Sequence, residues 1–105
     1  MTSTHWPAGR FFCLLASTGK TWKHGNVHPS GKFARYSEWT GHARIEHLVH
    51  FESGRHVGAF DSVDDAETAA AWLLSLGPCD NLESVKAIGK MHIREAVESH
   101  GGTLA

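Results

Sequence analysis

Cysteine and long apolar runs, two features that would narrow the class of this protein, are scarce in the sequence. Only two cysteines occur among 105 residues, and Cys13 and Cys79 form no C-x-x-C pair, so neither a disulfide framework nor a cysteine-based metal site is predicted. The longest apolar run, in RFFCLLAS at 10–17, spans about six residues, whereas a membrane-crossing helix needs roughly 20. It is also a poor match to a secretory signal. We therefore expect a cytoplasmic protein with no membrane partner.

The sequence motifs of common catalytic and phosphate-binding sites are also absent. No G-x-S-x-G, H-E-x-x-H or G-x-G-x-x-G occurs. STGKT at 17–21 matches only the end of a P-loop, because Leu14 stands where that motif requires its first glycine. We therefore predict no catalytic residue, no metal ligands and no cofactor, and a binding protein is favoured over an enzyme.

Charge is nearly balanced over the chain but unevenly distributed along it. Residues 1–60 hold seven Lys and Arg against three Glu, a net charge of about +4, whereas residues 61–105 hold three against eight, about −5. Nine of the ten aromatic residues also lie within the first 60. The N-terminal half is therefore basic and aromatic, and the C-terminal half is acidic and aliphatic.

Length and apolar content predict one domain over residues 1–105. RFFCLLAS at 10–17 fits either a buried strand or a short helix, and we favour the strand. Residues 18–31 are rich in Gly, Asn, Pro and Ser, which predicts loop and turn. KFARYSEW at 32–39 is aromatic enough to predict another strand.

The clearest strand signal is ARIEHLVHF at 43–51, in which apolar and polar residues alternate. With RHVGAF at 55–60 it predicts a hairpin. A two-residue loop at Ser53-Gly54 would place His47 opposite Phe60. One face of the sheet then stays open, and it would carry Arg44, Glu46, His50 and Arg55.

Two helices are predicted after the hairpin. Ser62 is a good N-cap with aspartates in the turn that follows, and Gly77-Pro78 ends this helix. Its apolar stripe consists of Ala66, Ala69, Ala70, Leu73 and Leu74. A second helix is predicted from Asp80 or Asn81 to Gly101, with an apolar face of Leu82, Val85, Gly89, His92, Ile93 and Ala96. The expected fold class is therefore α+β, an antiparallel meander of three or four strands with two C-terminal helices on one face.

The nine histidines raise the question of a metal site. In the predicted register, four residues of strand separate the positions of His47 and His56, about 13 Å. Zinc needs ligands at about 2 Å, so the hairpin predicts no metal site. His47, His56 and His92 lie on predicted apolar faces, where we expect neutral, hydrogen-bonded side chains. The alternative for these histidines is a general base or a proton switch.

Residues 54–74, GRHVGAFDSVDDAETAAAWLL, resemble the third strand and the helix of plant AP2-type DNA-binding domains. The resemblance is carried by Gly58, Phe60, Asp61, Ser62, Ala66 and Ala70. It implies a strand, a tight corner and a helix packed closely on the sheet. Arg44 and Arg55 are loose counterparts of that family's DNA-reading residues. We take local packing alone from this resemblance and assign no family.

Cations alternate with aromatic rings between Lys20 and Trp39. With two more arginines, these residues make up the predicted binding surface: Trp22, Lys23, Lys32, Arg35, Tyr36, Trp39, Arg44 and Arg55. We expect a small interaction module that docks a protein partner there, with a second copy of the chain as one such partner. Nucleic-acid binding through the 20–39 tract is the first alternative. A small-ligand or metal-binding protein, or an enzyme, using the core-facing histidines is the second.

Overall fold

A computed structural model describes residues 5–15 and 19–104. Within them lie six strands and three helices: β1 (Ala8–Leu15), β2 (Gly19–Val27), β3 (Phe33–Trp39), β4 (Arg44–His50), β5 (His56–Phe60), α1 (Val63–Leu76), α2 (Leu82–Ile88), α3 (Lys90–Glu98) and β6 (Thr103–Leu104). The strands form one sheet in sequence order, and each neighbouring pair is antiparallel. The α+β class and the antiparallel sheet are confirmed. The predicted three or four strands and two helices are too few.

β1 and β2 form a two-stranded ribbon, although residues 18–31 predicted a loop. Eight cross-strand pairs join the two strands, from Ala8–Asn26 to Leu15–Gly19. The pairing of β2 with the apolar strand β1 overrides the turn preference of the glycines and the asparagine in β2, because strand propensity depends on context. The strand predicted at 10–17 is present as far as Leu15, and residues 16–17 lie outside the described part of the chain.

The ribbon bends away from the sheet and lies over one of its faces. β2 pairs with β3 only at Asn26–Arg35 and Val27–Ala34. At Gly25 the backbones come so close that an added Cβ would lie 2.0 Å from the Arg35 carbonyl oxygen. At the other end of the ribbon, the Leu14 amide donates to the Gly54 carbonyl at 2.8 Å, which joins β1 to the turn after β4.

The central strands β3 and β4 are therefore buried on both faces. One face packs against the helices in a cluster that includes Trp6, Phe33, Leu48, Phe60, Ala69, Leu73 and Val97. The other face packs against the ribbon in a cluster of Phe11, Cys13, Ala34, Tyr36 and Val49. The prediction that Glu46 and His50 lie on an open sheet face is wrong. Both side chains point to the helix side of β4, and each is only 1% exposed.

The β4–β5 hairpin differs from its predicted register by one residue. His47 pairs with Ala59 rather than Phe60, and the register shifts again between Leu48 and Val49. The chain turns in four residues between His50 and Arg55, whose backbones are joined by a 2.8 Å hydrogen bond, instead of two. A shift of one residue reverses which face each side chain occupies, and this exchanges the predicted inner and outer faces of β4.

The start of α1 and the strand–corner–helix packing implied by the resemblance are confirmed. The Ser62 hydroxyl accepts from the Asp65 amide at 3.1 Å, and Phe60, Ala66 and Ala70 are buried. The predicted second helix is interrupted at Gly89, whose φ of 98° favours glycine, and continues as α3. His92 is exposed and not on the apolar face as predicted, whereas Val97 is fully buried.

His50 has a structural role between the sheet and the segment after α1. Its Nε2 lies 2.9 Å from the Cys79 carbonyl oxygen and its Nδ1 lies 2.7 Å from the Ser53 hydroxyl. Both ring nitrogens are therefore occupied by protein groups. Both cysteines are buried and free. Within the described residues, no helix combines the length and apolarity that crossing a membrane would need.

Candidate functional site

The outer face of the ribbon is the most distinctive exposed surface of the fold. Along β1 and β2 alternate side chains point outward, and cross-strand pairing sets Phe12 opposite Trp22 and Arg10 opposite His24. Trp22 is 60% exposed. We define the outer ribbon face as Arg10, Phe12, Leu14, Lys20, Trp22 and His24.

On the outer ribbon face, exposed Trp22 and half-buried Phe12 are each paired with a cation. The Arg10 guanidinium carbon lies 5.2 Å from the centre of the Trp22 ring, and the Lys20 Nζ lies 4.3 Å from the centre of the Phe12 ring. The two rings meet edge to face at 5.9 Å. These contacts hold the cations beside the rings without neutralising their charge.

The charged residues of the outer ribbon face, Arg10 and Lys20, are both cationic. The first 37 residues contain five Lys and Arg and no Asp or Glu. The acidic helices lie on the other side of the sheet, since α1 and α3 pack against the face of β4 opposite the ribbon. The fold therefore places the helical carboxylates of Asp65, Glu83, Glu95 and Glu98 behind the sheet, whereas Asp64 and Glu67 line a pocket with Asn26 near the end of β2.

Beneath the ribbon lies a cluster of polar rings that the sequence did not predict. The Tyr36 hydroxyl is 2.7 Å from His56 Nε2, and the His47 ring stacks on Tyr36 with 4.7 Å between centres. His47 Nε2 is also 2.8 Å from a Glu38 carboxylate oxygen. The Lys23 Nζ lies 5.0 Å from the centre of the Tyr36 ring on the ribbon side. We call these five side chains the histidine cluster.

The predicted separation of His47 and His56 is wrong, because their ring centres are 5.4 Å apart. The two histidines come together because His56 lies opposite Val49, two residues from the predicted position, after the register shift between Leu48 and Val49. The signal available in the sequence was the turn FESG, which can close a hairpin with either two or four loop residues. Proximity does not make a metal site here, since no group of three His, Cys, Asp or Glu among the described residues could hold an ion.

Burial shifts the pKa of two groups in the histidine cluster. It raises the pKa of Tyr36 above its ordinary value, with a further contribution from the neighbouring Cys13 thiol. Burial also lowers the pKa of His56, and the charge of a protonated His47 lowers it further. A hydrogen bond with the Leu14 backbone acts in the opposite direction. Both shifts favour the neutral forms, so we assign the cluster a neutral tyrosine hydrogen-bonded to a neutral histidine.

The eight residues of the predicted binding surface do not lie on one face. Trp22 is on the outer ribbon face, whereas Lys23 points inward and Tyr36 is buried. Trp39 is 71% exposed but lies on the side of β3 that carries Phe33, which faces the helices.

The other four cations are distributed around the sheet. Lys32 forms an ion pair with Asp80, and Arg35 bonds to Glu67 at 2.9 Å in a partly buried position. Arg44 bonds to Glu46, and Arg55 is exposed just before the start of β5. Sequence reasoning missed Arg10 and Phe12, because the alternation R-F-F-C was obscured by the apolar residues after it. The binding role of the eight residues stays a prediction.

No protein-family model matches the chain, and neither a curated protein nor a solved structure shows significant similarity to it.

Acidification from about pH 7.5 to 5.5 is expected to lower the free energy of unfolding. The pKa values of His28 and His56 are lowered by burial in the folded protein, so the unfolded chain takes up protons more readily. The stability that these two neutral rings contribute is complete above pH 6.5 and decreases as the pH falls below it. Because each ring is partly solvated, the free energy of unfolding should fall by less than about 1.4 kcal/mol per pH unit for each of them. Urea denaturation across this range measures the effect.

His56→Gln should flatten the pH profile, whereas the same change at exposed His92 should not. A profile that is flat for the unmodified protein, or that His56→Gln leaves unaltered, would contradict the assignment of a neutral His56.

Proposed function

We propose that this chain is a binding module that holds single-stranded nucleic acid on the outer ribbon face. The observation that carries the proposal is the pairing of two cations, Arg10 and Lys20, with two rings on a face whose six defining residues include no carboxylate. Cations meet phosphates and exposed rings stack on bases, which is the combination that single-strand binders use.

The sequence favours a protein partner, but the position of the acidic helices supports nucleic-acid binding instead. Carboxylates beside the ribbon would repel phosphates, and a strand bound there would lose affinity. The helices instead pack on the far face of β4, behind the sheet. A bound strand would therefore meet Arg10 and Lys20 before any helical carboxylate.

Binding of a fluorescein-labelled, mixed-sequence single strand should weaken by about tenfold between roughly 50 and 200 mM salt. Two or three phosphates would be neutralised, and each contributes about −0.7 to the slope of log affinity against log salt concentration. Fluorescence anisotropy measures this. Trp22→Ala should reduce affinity at least about fivefold through lost stacking. Lys20→Gln should lower the salt slope by about 0.7.

Trp39→Ala is the matched control, because Trp39 is as exposed as Trp22 but lies on the opposite side of β3. An equal loss from both tryptophan variants, or binding that salt does not weaken, would overturn the proposal.

A protein partner is the second candidate, favoured by the open backbone edge of β2. Over residues 19–25 this strand pairs with β1 alone among the described residues. An unpaired strand edge can accept an extended segment of another chain, and the cations nearby would suit an acidic one. Absence of oligonucleotide binding at both salt concentrations, with a mass by light scattering that rises with concentration, would favour docking of a second copy.

A further inference from the structure

A groove on the helix side of the fold lies apart from the outer ribbon face. It runs between the start of β5 and the helices α2 and α3 and has a volume of about 460 Å³. This is within the size range of small-molecule sites, which is about 300–1,000 Å³. Its floor is apolar and includes Val57, Val85 and Ile93. The groove belongs neither to the outer ribbon face nor to the proposed strand-binding function.

The charged side chains along this groove are all cationic. Arg55, Lys86 and Lys90 line it, and no Asp or Glu does so among the described residues. None of the three cations forms an ion pair within residues 5–15 and 19–104. By comparison, Lys32 and Arg35 elsewhere on the sheet each have a carboxylate partner. Three unpaired cations around an apolar floor complement an anion with an apolar body.

We propose that this groove binds a small amphipathic carboxylate, a hydrocarbon chain that ends in one carboxylate group. The chain would lie on Val57, Val85 and Ile93, where it leaves water. The carboxylate would meet Lys86 and Lys90 at the rim, with Arg55 as a third cation of the lining. A neutral hydrocarbon would lack the charge contact, and a short carboxylate would lack the apolar contact. The ligand must therefore carry both parts.

His56 provides a natural reporter at one end of the groove. His56 is one of the residues that line the groove, and its Nε2 bonds to Tyr36 at 2.7 Å. A ligand seated there should shift the His56 ring resonances together with the amide resonances of Val57 and Ile93. Ligand adsorbed nonspecifically at the ribbon would shift Trp22 instead.

Two-dimensional NMR titration of the full chain with octanoate tests the proposal, with butyrate and 1-octanol as matched ligands that lack the long tail or the charge. Octanoate up to about 5 mM should give saturable shifts around Val57, Ile93 and His56, in the millimolar affinity range or tighter. Lys86→Gln with Lys90→Gln should weaken octanoate by about fivefold to tenfold, the effect of two exposed ion pairs. Lys20→Gln should leave it unchanged.

Equal affinity for 1-octanol and octanoate, or no saturable shift at the groove, would overturn the inference. So would an unchanged octanoate affinity in the double lysine variant. Because Trp22→Ala leaves the groove intact, octanoate should bind this variant normally, and failure of oligonucleotide binding would leave the groove result unaffected.

Discussion

Glu46→Ala is expected to lower the free energy of unfolding by about 3 kcal/mol or more, because it removes the carboxylate from a buried charge network. Glu46 is 1% exposed, and its oxygens accept hydrogen bonds from Arg35 at 3.4 Å and Arg44 at 3.0 Å. The Ser37 hydroxyl also donates to it. Among the described residues, removal of Glu46 would leave the partly buried Arg35 with Glu67 as its one ionic partner.

Glu38→Ala is the matched control for this prediction. Glu38 faces Ile45 across the same pair of strands and binds His47, but its side chain is 57% exposed. An exposed pair contributes at most about 1 kcal/mol, so this variant should be nearly as stable as the unmodified protein. Urea denaturation monitored by circular dichroism compares the two. Similar losses of stability would show that the network around Glu46 is not effectively buried.

The parts of the fold that the sequence predicted depend on local signals. Ser62 caps α1 through the amide three residues away, and Ala66, Ala69, Ala70 and Leu73 recur at helical spacing. The alternation in 43–51 likewise predicted β4. In each case the residues that decide the structure are close in sequence, so a short window contains the required information.

The parts that the sequence did not predict depend on contacts between distant residues. The ribbon requires eight cross-strand pairs and a close approach between Gly25 and Arg35, and no local pattern encodes these. Leu48 and Val49 are both fully buried because different layers cover the two faces of β4. Alternation alone could not show that both faces are covered.

The candidate site shows the same division. Trp22 was predicted from composition, but its partner Arg10 came to light only through the pairing of β1 with β2. The histidine cluster depends on the four-residue turn and on the register shift between Leu48 and Val49 in the β4–β5 hairpin. Since a two-residue and a four-residue loop are both compatible with FESG, the sequence could not decide whether His47 and His56 meet.

Gly25→Ala is expected to detach the ribbon and to destabilise the fold by about 3 kcal/mol, the upper range for an overfilled site. A Cβ at this position would lie 2.0 Å from the Arg35 carbonyl oxygen and 3.1 Å from the Tyr36 Cα. These are backbone atoms of a central strand, so they cannot rotate aside as a side chain could. The ribbon must therefore move away from β3 to accept the methyl group.

Gly9→Ala is the control, because Gly9 is the cross-strand partner of Gly25 in the same ribbon. Its added Cβ would meet only the end of the Val27 side chain at 3.1 Å, which can shift. Detachment of the ribbon would uncover Cys13, which is fully buried on the inner face of β1, whereas Cys79 on the helix side would stay protected. Thiol labelling followed by peptide mass analysis should therefore show faster modification of Cys13 alone in Gly25→Ala. Equal labelling in the two alanine variants would mean that the approach of Gly25 to Arg35 does not hold the ribbon against the sheet.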